Sequence, residues 1–384
     1  MSDVLRGSLR GFGTSIFSTV TEWATEAGAI NLAQGFPDFE PPEALVAAAS
    51  DALHQGLHQY APSVGDPVLR QAVAEHQRAQ YGLGWDPVTD VTITTGASEA
   101  IMSALLALLE QGDEVVLIEP CYDLYPYAVV AAGGVPVYVP TTFPDFRLDL
   151  DRLAAAVTDR TRVIVVNTPT NPTGQQLTAE EIRVLGELAT RHDAYIISDE
   201  VYEHLVFDGG THLPVAADPV ARERTITVSS VSKTFSATGW RIGWAVAPPE
   251  LSAAVRSAHQ FVTFNATTPL QRATAVMFDV AAGGDYYSTL LAEFSQRRDI
   301  LLGGLGSLEL EVGRPRGTYF VMTRCAGDDT AYVRDLIATR GVAAIPASSF
   351  YYDGRTGPGR GLVRFTFCKR AETLRTAADR LRSS

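Results

Sequence analysis

Lysine is nearly missing from this 384-residue chain. Of its 31 basic residues two are Lys, at positions 233 and 369, and 29 are Arg. Positive charge is short as a whole. Against 44 Asp and Glu the chain carries a formal net charge of −13, with a pI near 5.0. Nucleic acids and acidic membrane surfaces need a basic footprint, so neither is an expected partner. Cysteine is scarce as well. Cys121, Cys325 and Cys368 are odd in number and far apart in sequence, which excludes a CxxC metal pattern and a disulfide framework. Reduced thiols, a cytoplasmic location and no metal are therefore expected. No stretch approaches the roughly 20 apolar residues of a membrane span. The opening segment MSDVLRGSLRGFGTSIF lacks the apolar region of a secretory signal, so no membrane partner is expected.

What remains is ordinary globular composition, 46% hydrophobic and 20% charged. The length exceeds one usual core and implies two domains. Strand and helix patterns alternate. DVTITTG, EVVLIEP, VPVYVP, RVIVVN, AYIISDE, RTITVSS and IGWAVAPP read as strands. PEALVAAASDALHQGL, DPVLRQAVAEHQRAQYG, ASEAIMSALLALLEQG, DLYPYAVVAAGG and TAEEIRVLGELATRHD read as helices. Several strands are almost wholly apolar, as parallel strands covered on both faces must be. This alternation predicts an α/β domain with a mainly parallel sheet, whose site lies at the carboxyl ends of the strands. From about Pro269 the pattern shifts to a long helical stretch, then GTYFVMT, GVAAIP and LVRFTF, which suggests a smaller α+β domain sharing the N-terminal segment. RTGPGRG, from Arg355 to Gly361, lacks the Lys-Ser/Thr of a phosphate loop and reads as a flexible loop.

Four stretches at strand ends carry possible chemistry. Asn171 lies in NTPTNPTG, where Asn-Pro equally well makes a plain turn. Asp199 ends an apolar strand, with Tyr202 three residues on, and an Asp there also serves as a helix cap. Thr94 to Ala100, TTGASEA, joins strand to helix through small residues. Free N–H groups at such a helix start suit a phosphate, although many such turns bind nothing. The last stretch is SSVSKTFSATGWRIGW. It places Ser230 three residues before Lys233 and Arg241 eight after. A hydroxyl and a guanidinium around one lysine can hold a phosphate dianion. Charged neighbours are few, so the run is expected to be buried. Burial lowers a lysine pKa, which an imine-forming amine requires. Arginine cannot do that chemistry.

These stretches, in this order and spacing, resemble the class I/II aminotransferases of the fold-type I pyridoxal-phosphate enzymes. The lysine signature runs from Ser230 to Gly243, and Asn171 and Asp199 stand 28 residues apart upstream. NLAQGFPDFEPP, HQFVTF, GTYF and AIPASSFY are similar to the kynurenine/glutamine aminotransferase branch. DEVYEHLVFDGGTHLP and LVRFTFCKR are similar to actinobacterial N-succinyldiaminopimelate aminotransferases. The resemblance covers essentially the whole chain. It implies a large domain, residues 41–275, with a seven-stranded, mainly parallel sheet flanked by helices. Residues 1–40 and 276–384 would form the smaller α+β domain.

The resemblance also implies roles. Lys233 would bind pyridoxal 5'-phosphate as an imine and move a proton during turnover. Asp199 would pair with the pyridine nitrogen, Tyr202 and Asn171 with the ring oxygen, and Tyr122 would stack on the ring. Gly96, Ala97, Ser98, Ser230 and Arg241 would cradle the phosphate. Tyr60 would reach the phosphate of a neighbouring subunit in a homodimer. Arg364 and the Gly35 backbone would hold the substrate carboxylate. Phe17, Phe36, Phe264 and Asn265 would line the side-chain pocket. The family often has Trp at position 17 and His or another residue at 265, so a kynurenine-type preference is in doubt. The implied reaction moves an amino group between an L-amino acid and a 2-oxo acid. The donor side chain would be apolar, aromatic, glutamine-like or specialised. N-succinyldiaminopimelate transamination and cysteine-conjugate carbon–sulfur β-elimination remain alternatives. A non-catalytic binding module is disfavoured by the complete residue set.

Overall fold

The computed structural model describes residues 6–353 and 357–383. Part of the glycine-rich loop at Arg355 falls outside the described residues. Seven strands make the central sheet: β1 (Val91–Thr94), β2 (Glu114–Glu119), β3 (Val135–Pro140), β4 (Thr161–Asn167), β5 (Tyr195–Asp199), β6 (Thr225–Ser230) and β7 (Gly243–Val246). Their order across the sheet is β1-β7-β6-β5-β4-β2-β3. β7 is antiparallel to both β1 and β6, and the other neighbours are parallel. The mainly parallel sheet read from the alternation is therefore present. All six residues of β6 are buried, as a strand with helices on both faces requires. Each Val, Ile or Leu buried this way contributes about 1.5–3 kcal/mol.

Local sequence sets the helix limits. Asp66 caps Pro67–Tyr81 by accepting from the Val68 N–H, and Pro67 occupies the first turn. Gly82 ends that helix at φ 71°, a left-handed conformation cheap only for glycine. Thr178 and Glu181 form a capping box on Ala179–Arg191. Helices that escaped the sequence reading include Ile16–Glu26 near the start, Leu150–Ala156 before β4 and Pro249–Val262 after β7.

The C-terminal part carries a four-stranded antiparallel sheet in the order Ile345–Pro346, Leu362–Thr366, Phe320–Arg324, Glu311–Val312. The N-terminal segment joins it. Ile30–Asn31 pairs in parallel with Val342–Ala343, and the Thr366 N–H donates to Leu32 O at 2.8 Å. The core beneath this sheet includes Val20, Ala24 and Leu32 from the N-terminal segment. It also takes Val201, Tyr202 and Leu205 from the turn after β5. That turn thus reaches out of the large sheet and packs against the small one.

Candidate active site

A cavity of about 460 Å³ opens where the carboxyl ends of β4, β5 and β6 face the C-terminal sheet. Asp199 sits at its floor as the last residue of β5. Its Oδ2 accepts from the Tyr125 hydroxyl at 2.7 Å, and Oδ1 accepts from the Val201 N–H at 3.3 Å. Asn167, its register partner at the end of β4, donates Nδ2 to Asp199 O at 2.7 Å. Burial pushes the Asp199 carboxyl up to about 6, opposed by the Tyr125 hydrogen bond and the nearby Lys233. At neutral pH it is mainly ionised, with its acceptor positions only partly used.

Lys233 stands on the one-turn helix Val231–Thr234 that follows β6. The residues around it are buried, as expected, while the lysine itself is half-buried because it faces the cavity. Its Nζ lies 5.8 Å from the Tyr202 ring centre and 5.6 Å from that of Tyr319. Among the described residues it makes no hydrogen bond. Burial, helped by Arg241 and Arg364, lowers its pKa to about 8. A substantial fraction of the amine is therefore neutral, and so nucleophilic, near physiological pH.

The third group is a tight backbone cradle. Gly96 precedes the helix Ala97–Leu108 at φ 79°. A Cβ on Gly243 would fall 2.5 Å from Gly96 C and 2.6 Å from Ala97 N, so glycine alone allows this approach. Arg241 donates to Thr238 O at 3.0 Å and, with Gly239, is exposed where the start of the run, Ser229–Ser232, is buried. Its left-handed backbone, φ 53°, turns the side chain outward beside Gly96. Ser98, Ser230 and Arg241 all line the cavity. The cradle thus joins free helix N–H groups, two hydroxyls and one guanidinium, a donor set that fits a phosphate.

Arg364 projects from the strand Leu362–Thr366 and is 1% exposed. Nη1 donates to Asn171 Oδ1 and Nη2 to Ala33 O, each at 2.8 Å, while the buried Nε has no partner. The guanidinium lies 4.0 Å from the Phe320 ring centre and 5.1 Å from that of Phe17. Among the described residues no carboxylate pairs with it. Burial lowers its pKa to about 10, so it remains a cation. A buried cation without a counter-ion is costly, and a ligand carboxylate would answer it.

Phe17, Gly35, Phe36 and Tyr122 also line the cavity. Tyr60, Phe264 and Asn265 do not. Tyr60 is 80% exposed and packs edge-on against Phe264, with ring centres 5.2 Å apart. Asn265 Nδ2 donates to Ala61 O at 3.1 Å. These three residues form an outer patch on the single chain. Other wall residues were not legible in the sequence, notably Gln34, Tyr125 and Phe320. Tyr125 carried a usable signal only in lying in the first turn of the helix read from DLYPYAVVAAGG, three residues after Tyr122.

The family model for aminotransferase class I and II matches residues 27–381. The chain belongs to this family. The probable N-succinyldiaminopimelate aminotransferase of Mycobacterium tuberculosis is 44% identical, over 97% of this chain and 96% of that protein. The methionine aminotransferase of Escherichia coli is 39% identical, over 98% and 97%. The solved structure of the M. tuberculosis N-succinyldiaminopimelate aminotransferase superposes with a TM-score of 0.94 at 43% identity, covering 98% of this chain and 99% of that one. As a class I/II aminotransferase the protein has the fold-type I architecture, depends on pyridoxal phosphate, and acts on amino and 2-oxo acids. The Gly96–Gly243 cradle suits the cofactor's phosphate, and Lys233 is an amine able to take its carbonyl. No described helix is long and apolar enough to cross a membrane.

Proposed function

We propose that this aminotransferase prefers L-amino donors with an apolar, aromatic or glutamine-like side chain, and that Lys233, Asp199 and Arg364 carry the reaction. When bound, the cofactor supplies an electron-accepting ring that lets the substrate Cα–H bond break. Ser98, Ser230, Arg241 and the helix start at Ala97 would hold its phosphate. Tyr122, Tyr202 and Asn171 would hold its ring, and the ionised Asp199 would keep a proton on the ring nitrogen. Lys233 Nζ would take the Cα proton and return it one position along. Arg364, with the Gly35 backbone, would grip the α-carboxylate. The observation that supports this most is the pairing of two unanswered groups in one cavity. The Lys233 amine has no hydrogen-bond partner and the Arg364 guanidinium no carboxylate among the described residues.

Phe17, Phe36 and Phe320 supply aromatic walls, which favours apolar side chains. We further propose residues 41–275 as the large domain, with 1–40 and 276–384 as the small one. The active unit would be a cytoplasmic homodimer. The exposed Tyr60–Phe264 pair and Phe261, 86% exposed, would be covered by the neighbouring subunit. The identity with the M. tuberculosis protein favours N-succinyldiaminopimelate as a second reading. Against it, the described cationic residues of the cavity are Lys233, Arg241 and Arg364, and all three have roles. None is left for a distal succinyl carboxylate. A panel of amino donors, N-succinyldiaminopimelate included, tested against several 2-oxo acids with product mass as readout, decides between them. Methionine, phenylalanine or glutamine should turn over fastest. A preference for the succinylated donor would overturn the first reading.

A further inference from the structure

Behind the cofactor turn lies a second polar cluster that the aminotransferase reaction does not use. Tyr202 faces the cavity, while the next two residues, Glu203 and His204, meet His76 of the helix Pro67–Tyr81. His76 Nε2 lies 3.2 Å from His204 Nε2 and 3.4 Å from Glu203 Oε2. The three donor atoms all fall within 4.8 Å of one another. We propose that His76, Glu203 and His204 form a binding site for one divalent transition metal of the zinc class.

The distances carry the argument. A direct N–H···N or N–H···O hydrogen bond has its mode near 2.9–3.0 Å, and both contacts here are longer. Two ligands on a tetrahedral ion with bonds of about 2.0–2.1 Å stand roughly 3.3–3.4 Å apart. The observed 3.2 and 3.4 Å match such edges. Two imidazoles and one carboxylate are a zinc-type ligand set that leaves a fourth position for water. The supporting groups hold these side chains in place, as outer partners of a metal site do. Tyr287 stacks on His204 with ring centres 4.1 Å apart, and its hydroxyl lies 3.4 Å from His76 Nδ1. Ser229 donates to Glu203 Oε1 at 2.7 Å and Tyr81 to Oε2 at 2.8 Å. His76 and Glu203 are buried, and His204 is half-buried, which leaves the ion a route from solvent. Because 128 residues separate His76 from His204, no local ligand spacing announces the site in the sequence. Bound there, the ion would fasten the helix Pro67–Tyr81 to the turn that carries Tyr202. This inference is independent of the donor preference proposed above.

Cobalt(II) is the probe. Added to the cofactor-loaded enzyme, one equivalent per chain should give an intense ligand-field band to the red of the cofactor's absorbance, and one equivalent of zinc(II) should erase it. His204→Gln should keep the cofactor's visible absorbance, lose the band, and weaken zinc binding by at least ~100-fold. An unchanged band in that variant, or no band in the parent protein, overturns the proposal. Should His204→Gln fail to fold, the parent protein decides alone. Dialysis against zinc followed by elemental analysis should leave one zinc per chain with a raised Tm. Retention near zero overturns the site.

Discussion

Replacing Arg364 by Lys tests the site at its most exacting contact. In the native chain the guanidinium is 1% exposed and spends Nη1 and Nη2 on Asn171 Oδ1 and Ala33 O, both at 2.8 Å. Those bonds fix the plane of the fork, and the unpartnered Nε leaves donor capacity within it. A substrate carboxylate held in that plane has its Cα–H bond set at a defined angle. A lysine ammonium keeps the charge but not the plane, and the Ala33 and Asn171 oxygens compete for its three protons. Losing charge-assisted bonds worth about 2–4 kcal/mol lowers kcat/KM by roughly 30- to 1000-fold. The drop should fall on the amino acid and on the 2-oxo acid alike, because both carry the carboxylate. Steady-state kinetics on each half-reaction measures it. The cofactor's visible absorbance should be unchanged, since Arg364 is not part of the Gly96–Gly243 cradle. Near-normal kcat/KM for both substrates, or loss of the cofactor, would refute the assignment and leave Arg364 a structural strand residue.

Borohydride treatment of the cofactor-loaded enzyme should attach the cofactor at Lys233, read by peptide mass, and Lys233→Arg should retain cofactor without turnover; attachment at Lys369 would reverse the assignment. Only the neutral amine attacks a carbonyl, so cofactor uptake by stripped enzyme should quicken as pH rises and level off above about 8, with roughly tenfold slowing per unit below; a flat profile from pH 6 to 9 would remove the role given to burial. Gly243→Ala puts a Cβ 2.5 Å from Gly96 C and should weaken cofactor binding at least ~10-fold by equilibrium dialysis, with the chain still folded. Unaltered affinity would show that the cradle is not the phosphate site. Sedimentation should give a dimer as the active species, and full activity in a monomer would end the part assigned to Tyr60.

How much of this was legible in the sequence depends on the range over which each signal acts. β6 and Lys233 were legible because a β-branched run, three serines and a lone lysine lie within nine residues, Thr225 to Lys233. The same holds for Asp199, the last residue of an apolar strand. Long-range contacts left no such trace. Tyr125 meets Asp199 across 74 residues, and the Ile30–Asn31 strand is two residues long, too short to show any alternation. Composition pointed the wrong way for Arg241, which was expected to be buried with its apolar neighbours. The left-handed backbone at 241 decides its exposure, and nothing in a list of neighbours encodes that. Phe264 and Asn265 were placed in the side-chain pocket by resemblance. A single chain sets them outside it, where they border Tyr60 and Ala61.

The segment from Ala33 to Asp38 is stitched to the C-terminal part almost residue by residue. Ala33 O accepts from Arg364, Gly35 O from the Tyr319 hydroxyl, and Phe36 O from Lys369 Nζ. The Asp38 carboxylate takes the Arg370 N–H and the Thr373 hydroxyl. Arg364, the proposed carboxylate anchor, and the aromatic wall at Phe36 are therefore tied into one body. Any tilt of that body towards the large sheet shifts both by the same rotation. Under the proposed roles, a substrate that forced Phe36 aside would also pull Arg364 out of line. Shape at the far end of the ligand would thereby be converted into alignment at the reacting end, with the second lysine of the chain, bonded to Phe36 O, as one of the pins.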